Sequence, residues 1–129
     1  MDTLSFMTEE QVRRIQREFG TPVFVYSEEM LERRAREILA FPNVYGMTAR
    51  FAMKALPSAA VLRLFHGMGL HIDASSGFEA RRAMLAGIPA ADIQLTAQEI
   101  PGDLEELVRA GVRYNACSIL QLRHYGTLF

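Results

Sequence analysis

Four short runs rich in apolar and β-branched residues recur along the chain at an almost constant pitch. They end near Lys54, Ser75, Ala97 and Ser118, at intervals of 21, 22 and 21 residues. The last three are His71-Ile72-Asp73-Ala74, Ile93-Gln94-Leu95-Thr96 and Arg113-Tyr114-Asn115-Ala116-Cys117. Between them lie segments with helix punctuation. Ser58 can cap a helix running through Leu62 and Phe65 that stops at Gly67 and Gly69. Ser76 with Glu79 has the spacing of a capping box for a helix ending at Gly87, and Asp103 with Glu106 repeats it for one ending at Gly111. A fourth helix starts after Ser118 with Leu120 and Leu122. A strand that always returns through a helix enters the sheet from the same end, so the sheet must be parallel.

Two familiar parallel-sheet architectures are disfavoured, because no Gly-x-Gly-x-x-Gly or Walker-type loop follows the first strand. A (β/α)8 barrel repeats at this pitch and closes with eight units in roughly 250 residues. Only four units fit into 129 residues. The expected fold class is therefore α/β: an incomplete (β/α)8, TIM-like barrel, about its first half. Residues ahead of the repeat read differently. Thr8 with Gln11 marks a capped helix with Val12, Ile15 and Phe19 on one face, ending at Gly20. Val23-Phe24-Val25-Tyr26 reads as a short strand outside the repeat. Ser27 then caps a second helix with Leu31, Ala35, Ile38 and Leu39 as its apolar stripe.

Composition narrows the function classes. Half of the residues are hydrophobic and 22% charged, which supports a packed core and excludes a disordered chain. Fourteen basic residues stand against fifteen acidic ones, so there is no electrostatic footprint for nucleic acid or for an anionic membrane. One cysteine excludes a disulfide framework and multi-cysteine metal sites, and suits a reducing compartment. With no signal-peptide pattern near Met1 and no long apolar run, a cytoplasmic location is expected.

Among the basic residues, Lys54 is the only lysine; the rest are arginines. It sits in the apolar run Phe51-Ala52-Met53-Lys54-Ala55-Leu56-Pro57. One reading is a strand-end lysine snorkelling to water. The other is an amine nucleophile, a role closed to arginine, which stays protonated. In a βα barrel the active site lies at the C-terminal ends of the strands, where Lys54, Asp73, Thr96 and Ser118 all fall. There, a low-dielectric mouth would favour Lys54 as a Schiff-base former, and Asp73 could hold or deprotonate its amine. Asp73 also reads as an ordinary loop-forming aspartate, and Glu79 as a member of its capping box. Cys117 reads as a small buried hydrophobe, and His66 as a surface group suited to a helix C-terminus. His71 and His124 have no ligand spacing, and no metal site is expected.

Three segments carry a resemblance: Thr21-Pro22-Val23-Phe24-Val25-Tyr26-Ser27, Phe51-Ala52-Met53-Lys54-Ala55-Leu56-Pro57 and Asp73-Ala74-Ser75-Ser76-Gly77-Phe78-Glu79. Together they resemble the N-terminal part of the pyridoxal-phosphate-dependent decarboxylases of the alanine-racemase-like fold. That group includes the diaminopimelate and the ornithine/arginine decarboxylases. The resemblance runs in register from about Thr21 to Tyr125, and the aromatic-Ala-x-Lys-Ala-x-Pro run is its most specific piece.

It implies pyridoxal 5'-phosphate as cofactor, Lys54 as the Schiff-base lysine, and Asp73, Ser76 and Glu79 as further cofactor-binding positions. Lys54 and Asp73 would be the catalytic pair. It also implies that Val23–Tyr26 belongs to a C-terminal β-domain. Residues 1–43 would then hold two helices and that strand, and residues 44–129 the first four βα units of the barrel. The implied partners are a small-molecule amino-acid substrate and, for the full-length enzyme, a second copy in a homodimer.

Diaminopimelate decarboxylation, giving lysine and CO2, is the leading expectation. Ornithine/arginine decarboxylation and a non-enzymatic pyridoxal-phosphate-binding barrel are the alternatives. Leu56 stands where the family has asparagine, Thr96-Ala97-Gln98 where a Gly-Asn turn is common, and Cys117 where an acid is frequent. In that family the phosphate loop and the acid facing the pyridine nitrogen lie in the part corresponding to sequence beyond Phe129. The 129-residue chain alone is therefore expected to be inactive and, with two open sheet edges, to associate.

Overall fold

A computed structural model describes residues 6–129. The first helix, α1 (Glu9–Phe19), opens with the expected reciprocal cap. Thr8 Oγ1 accepts from the Gln11 amide at 3.2 Å, and Gln11 Oε1 accepts from the Thr8 amide at 2.8 Å. None of its residues is fully buried: Val12 and Ile15 on its apolar face are half-buried and Phe19 is exposed. Val23–Tyr26 follows without helix or strand assignment and pairs with no strand among the described residues. A strand exists only through its hydrogen-bonded neighbour, and here Phe24 and Tyr26 project into solvent instead.

The second helix, α2 (Glu28–Leu39), is capped by Ser27, whose hydroxyl accepts from the Met30 amide at 3.3 Å. Its buried stripe is narrower than the sequence implies: Ala35 is buried and Leu31 half-buried, but Ile38 and Leu39 are exposed. Ala35 packs into one cluster with Val61, Phe65 and Leu70. Through Ala35, α2 therefore packs against the segment that follows residue 43.

The repeat itself is β1 (Arg50–Ala52), α3 (Ala59–Gly67), β2 (His71–Ala74), α4 (Gly77–Leu85), β3 (Ile93–Leu95), α5 (Leu104–Arg109), β4 (Arg113–Tyr114) and α6 (Ile119–Leu128). The four strands form one parallel sheet in the order β1-β2-β3-β4. Each new strand joins the edge left by the last, the order of a barrel under construction; a doubly wound sheet reverses direction partway. Gly87 and Gly111 hold φ of 91° and 107°, the left-handed geometry that lets a helix end and the chain turn into the next strand.

The register sorts the strand residues onto two faces. Phe51 pairs with Ile72, Ile72 with Ile93, Ala74 with Leu95, and Leu95 with Tyr114. Side chains alternate along a strand, so these residues share the face covered by helices. Ile72, Ala74, Ile93 and Leu95 are fully buried there against Leu62, Ala80, Ala83, Leu104 and Leu107. The opposite face carries Arg50, His71, Asp73, Gln94 and Arg113, matched by the same register. One face is a core and the other is polar, as in the wall of a barrel.

Several expected caps take other partners. Ser58 precedes α3 without a side-chain capping bond. Asp103 makes none either; its carboxylate and that of Glu106 both bind Arg81 of α4, each at 2.7 Å. That guanidinium holds the Glu106 carboxyl below its ordinary range through a hydrogen bond. The two helices are thus clamped by charge where a reciprocal box was expected.

At the end of the sheet where the strands begin, Asp92 receives His66 Nε2 at 2.9 Å and lies 3.5 Å from His71 Nε2. His66 is thus a half-buried partner tying α3 to the entry of β3, where the sequence pointed to a surface group. No helix among the described residues is long and apolar enough to cross a membrane.

Candidate functional site

A cleft of about 1020 Å³ opens where the strands end, and Lys54, Asp73, Ser75, Ser76, Thr96 and Cys117 are among its lining residues. Lys54 comes from a single 3-10 turn, Met53–Ala55, that directly follows β1. Met53 is fully buried and anchors the turn, while Lys54, one residue on, is exposed at the mouth. The dry, low-dielectric mouth expected from sequence is not built by the described residues, because the cleft around Lys54 stands open to water.

Asp73, at the next strand end, pairs across the ladder with Ala52. Its carboxylate is held by a different neighbour than expected. Thr96 Oγ1 donates to Asp73 Oδ1 at 2.6 Å, and Gln94 Nε2 lies 3.4 Å from the same oxygen. Among the described residues no ion pair joins Asp73 to Lys54; Thr96 is the group that orients it. Asn115 Nδ2 adds a contact of 3.4 Å to Thr96 Oγ1, so the Thr96 hydroxyl links three consecutive strand ends.

Ser76 and Glu79 lie at the start of α4. Ser76 Oγ accepts from the Glu79 amide at 3.2 Å, which is half of a capping box. The other half is displaced by one residue: Glu79 Oε2 accepts from the Ser75 amide at 2.7 Å. Glu79 does not line the cleft; it shapes the Ser75–Ser76 turn that does. Gly77 between them is buried, and a Cβ there would overlap the Asp103 carboxylate. Only a residue without a side chain admits that approach.

Cys117 and the start of α6 depart from the sequence reading. Cys117 is exposed within the cleft, its thiol 3.6 Å from the Asn115 carbonyl, and is not a buried hydrophobe. On α6 the apolar Leu120 and Leu122 face solvent, whereas Gln121 is 3% exposed. Gln121 is the residue that sequence reasoning missed. The signal was present, since Ser118-x-x-Gln121 repeats the spacing of Ser76-x-x-Glu79.

With this arrangement in view, the chain was compared with known proteins. The family model for the pyridoxal-binding domain of pyridoxal-dependent decarboxylases matches residues 29–122. The chain is 33% identical over 125 residues to the diaminopimelate decarboxylase of Escherichia coli, covering 93% of this chain and 29% of that enzyme. It is 43% identical over 75 residues to the diaminopimelate decarboxylase of Zymomonas mobilis, covering 56% and 18% respectively.

Among solved structures it is similar to a lysine/ornithine decarboxylase from Vibrio vulnificus, with a TM-score of 0.80 at 20% identity over 94% of this chain and 34% of that one. A diaminopimelate decarboxylase from M. jannaschi gives 0.70 at 25% identity, over 89% and 28%. The chain spans less than a third of the length of the curated relatives named here. A barrel-ordered sheet with its sole lysine at the first strand end, and a family model matching most of the chain, lead to one conclusion: the chain belongs to the pyridoxal-dependent decarboxylases, through their pyridoxal-binding domain.

Proposed function

We propose that the whole protein is a pyridoxal-phosphate-dependent decarboxylase of amino acids, of the diaminopimelate or the ornithine/arginine type, with Lys54 as the amine that receives the cofactor. The observation that carries this reading is the placement of the chain's sole lysine, exposed in the strand-end cleft one neighbouring strand from Asp73.

The residues present fit the aldehyde end of the cofactor. Lys54 offers a primary amine in the cleft, and its access is not blocked by an ion pair among the described residues. The phosphate end has no comparable match, since Lys54 is the one cationic side chain among the described lining residues. When bound, pyridoxal phosphate supplies an electron sink for the charge left by loss of CO2. The chain's own residues supply position and protons. Asp73, on the strand next to the Lys54 turn, is assigned the role of acceptor for the amine's proton, with Thr96 holding its geometry. Ser76 is assigned to the cofactor's flank. Glu79 is assigned to holding the turn that presents it.

The experiment is borohydride reduction after addition of pyridoxal phosphate, followed by mapping of the labelled peptide. Labelling at Lys54 is expected, and Lys54→Ala should abolish it. Labelling only at another amine, or none, overturns the assignment. CO2 release from meso-diaminopimelate, ornithine and arginine, run side by side on the protein that carries this chain, sorts the substrates. Diaminopimelate is tested first because the similar enzymes above bear its name. Binding without CO2 release from any amino acid would favour a non-enzymatic cofactor carrier.

A further inference from the structure

Gln121 is the one buried polar side chain among the described residues, and all of its hydrogen-bonding groups point at the cleft wall. Its Nε2 donates to the carbonyls of Ala97 at 2.9 Å and Gln98 at 2.8 Å. Its Oε1 accepts from the Cys117 amide at 2.6 Å. Ala97, Gln98 and Cys117 all line the cleft, on the loops that leave β3 and β4. The side chain is itself positioned at the start of α6, where Ser118 Oγ accepts from the Gln121 amide at 3.2 Å. One amide therefore ties two strand-exit loops to each other and to a helix N-terminus.

The comparison with α4 shows what the amide adds. Glu79 and Gln121 occupy the same place after a serine, and each accepts from the amide just before that serine. A carboxylate can do only that, because it has no proton to donate. Gln121 does that and donates twice to the neighbouring loop. At this position a carboxylate would meet two carbonyl oxygens and repel both.

We infer that Gln121 is a positioning residue: its carboxamide, working as a double donor, locks the β3 and β4 exit loops into one wall of the cofactor cleft. This rests on the reading of the cleft as the pyridoxal-phosphate site, and the test separates the two. Gln121→Glu keeps the acceptor and the size but loses the donors; Gln121→Ala loses both.

Hydrogen exchange of the 96–103 and 115–118 segments reads the lock without any ligand. Both variants should exchange faster there and unchanged in β1 and β2. Pyridoxal phosphate affinity, measured through borohydride-trapped label at Lys54, should fall on the order of tenfold in Gln121→Glu at neutral pH. The pH profile is the decisive signature. A glutamic acid facing two carbonyls regains a donor when protonated, so the variant's affinity relative to wild type should recover as pH falls. Gln121→Ala should show no such recovery.

Unchanged exchange in these segments overturns the inference, and so does faster exchange with wild-type affinity. If Gln121→Ala fails to fold, the pH profile of Gln121→Glu decides, and a flat profile counts against it. If wild type takes no label at Lys54, the cofactor reading fails, and exchange alone decides whether Gln121 locks the loops.

Discussion

Thr96 shows how much of the cleft hangs on single atoms. Its hydroxyl donates to Asp73 at 2.6 Å and is itself approached by Gln94 and Asn115. Thr96→Val keeps the shape and removes the donor, leaving the carboxylate with one long contact. It is expected to lower the unfolding free energy by about 1 kcal/mol, reduced from the full value of a charged hydrogen bond because the site is half open. Thr96→Ser should recover most of it; urea unfolding of the three proteins measures both, and a Val variant as stable as wild type would show that water replaces the hydroxyl. In the sequence Thr96 is legible as a strand end. Its bond to Asp73 is not, because it depends on which residues of neighbouring strands come level.

Among the elements, the start of α4 is the most constrained. Gly77 lets the helix begin against the Asp103 carboxylate, which Arg81 pins from the same helix. Alanine normally favours a helix over glycine by up to about 1 kcal/mol. Here the sign should reverse: Gly77→Ala is expected to destabilise by about 1–3 kcal/mol, since its methyl must push aside a carboxylate held by a guanidinium. In an Arg81→Ala background Asp103 is free to turn away, and the penalty should shrink. A double-mutant cycle in thermal unfolding reads the difference, and equal penalties in both backgrounds would remove Arg81 from the account.

The caps themselves were legible in part. Thr8, Ser27, Ser76 and Ser118 accept where a local pattern says they should. Asp103 does not, because a long-range partner outbids the local one. A four-residue window contains no information about Arg81.

For the molecule as a whole, the sheet order leaves two open sides. Among the described residues β1 and β4 each pair on one side only, and they are three and two residues long. Phe78, Leu85, Ile119, Leu120 and Leu122 add exposed apolar surface around the same half-barrel. Unpaired edges next to apolar surface favour pairing with another chain, though such short edges limit how far a ladder extends. The 129-residue chain is therefore expected to self-associate. Sedimentation velocity should show a coefficient that rises with concentration, and a sharp monomer boundary at all concentrations would refute it.

By itself the sequence determined the architecture and singled out the residue proposed to carry the chemistry. A pitch of 21 or 22 residues between strand ends dictates parallel βα units, and a lone lysine in an apolar strand-end run points to the proposed amine. Both are local signals: periodicity and spacing survive in one dimension. Only the tertiary structure decided who touches whom. It gave Asp73 to Thr96, Asp103 to Arg81, and the buried place on α6 to Gln121 in preference to its leucine neighbours. The reason is physical. A hydrogen bond between groups more than twenty residues apart is set by strand register and helix packing, and neither exists until the chain has folded.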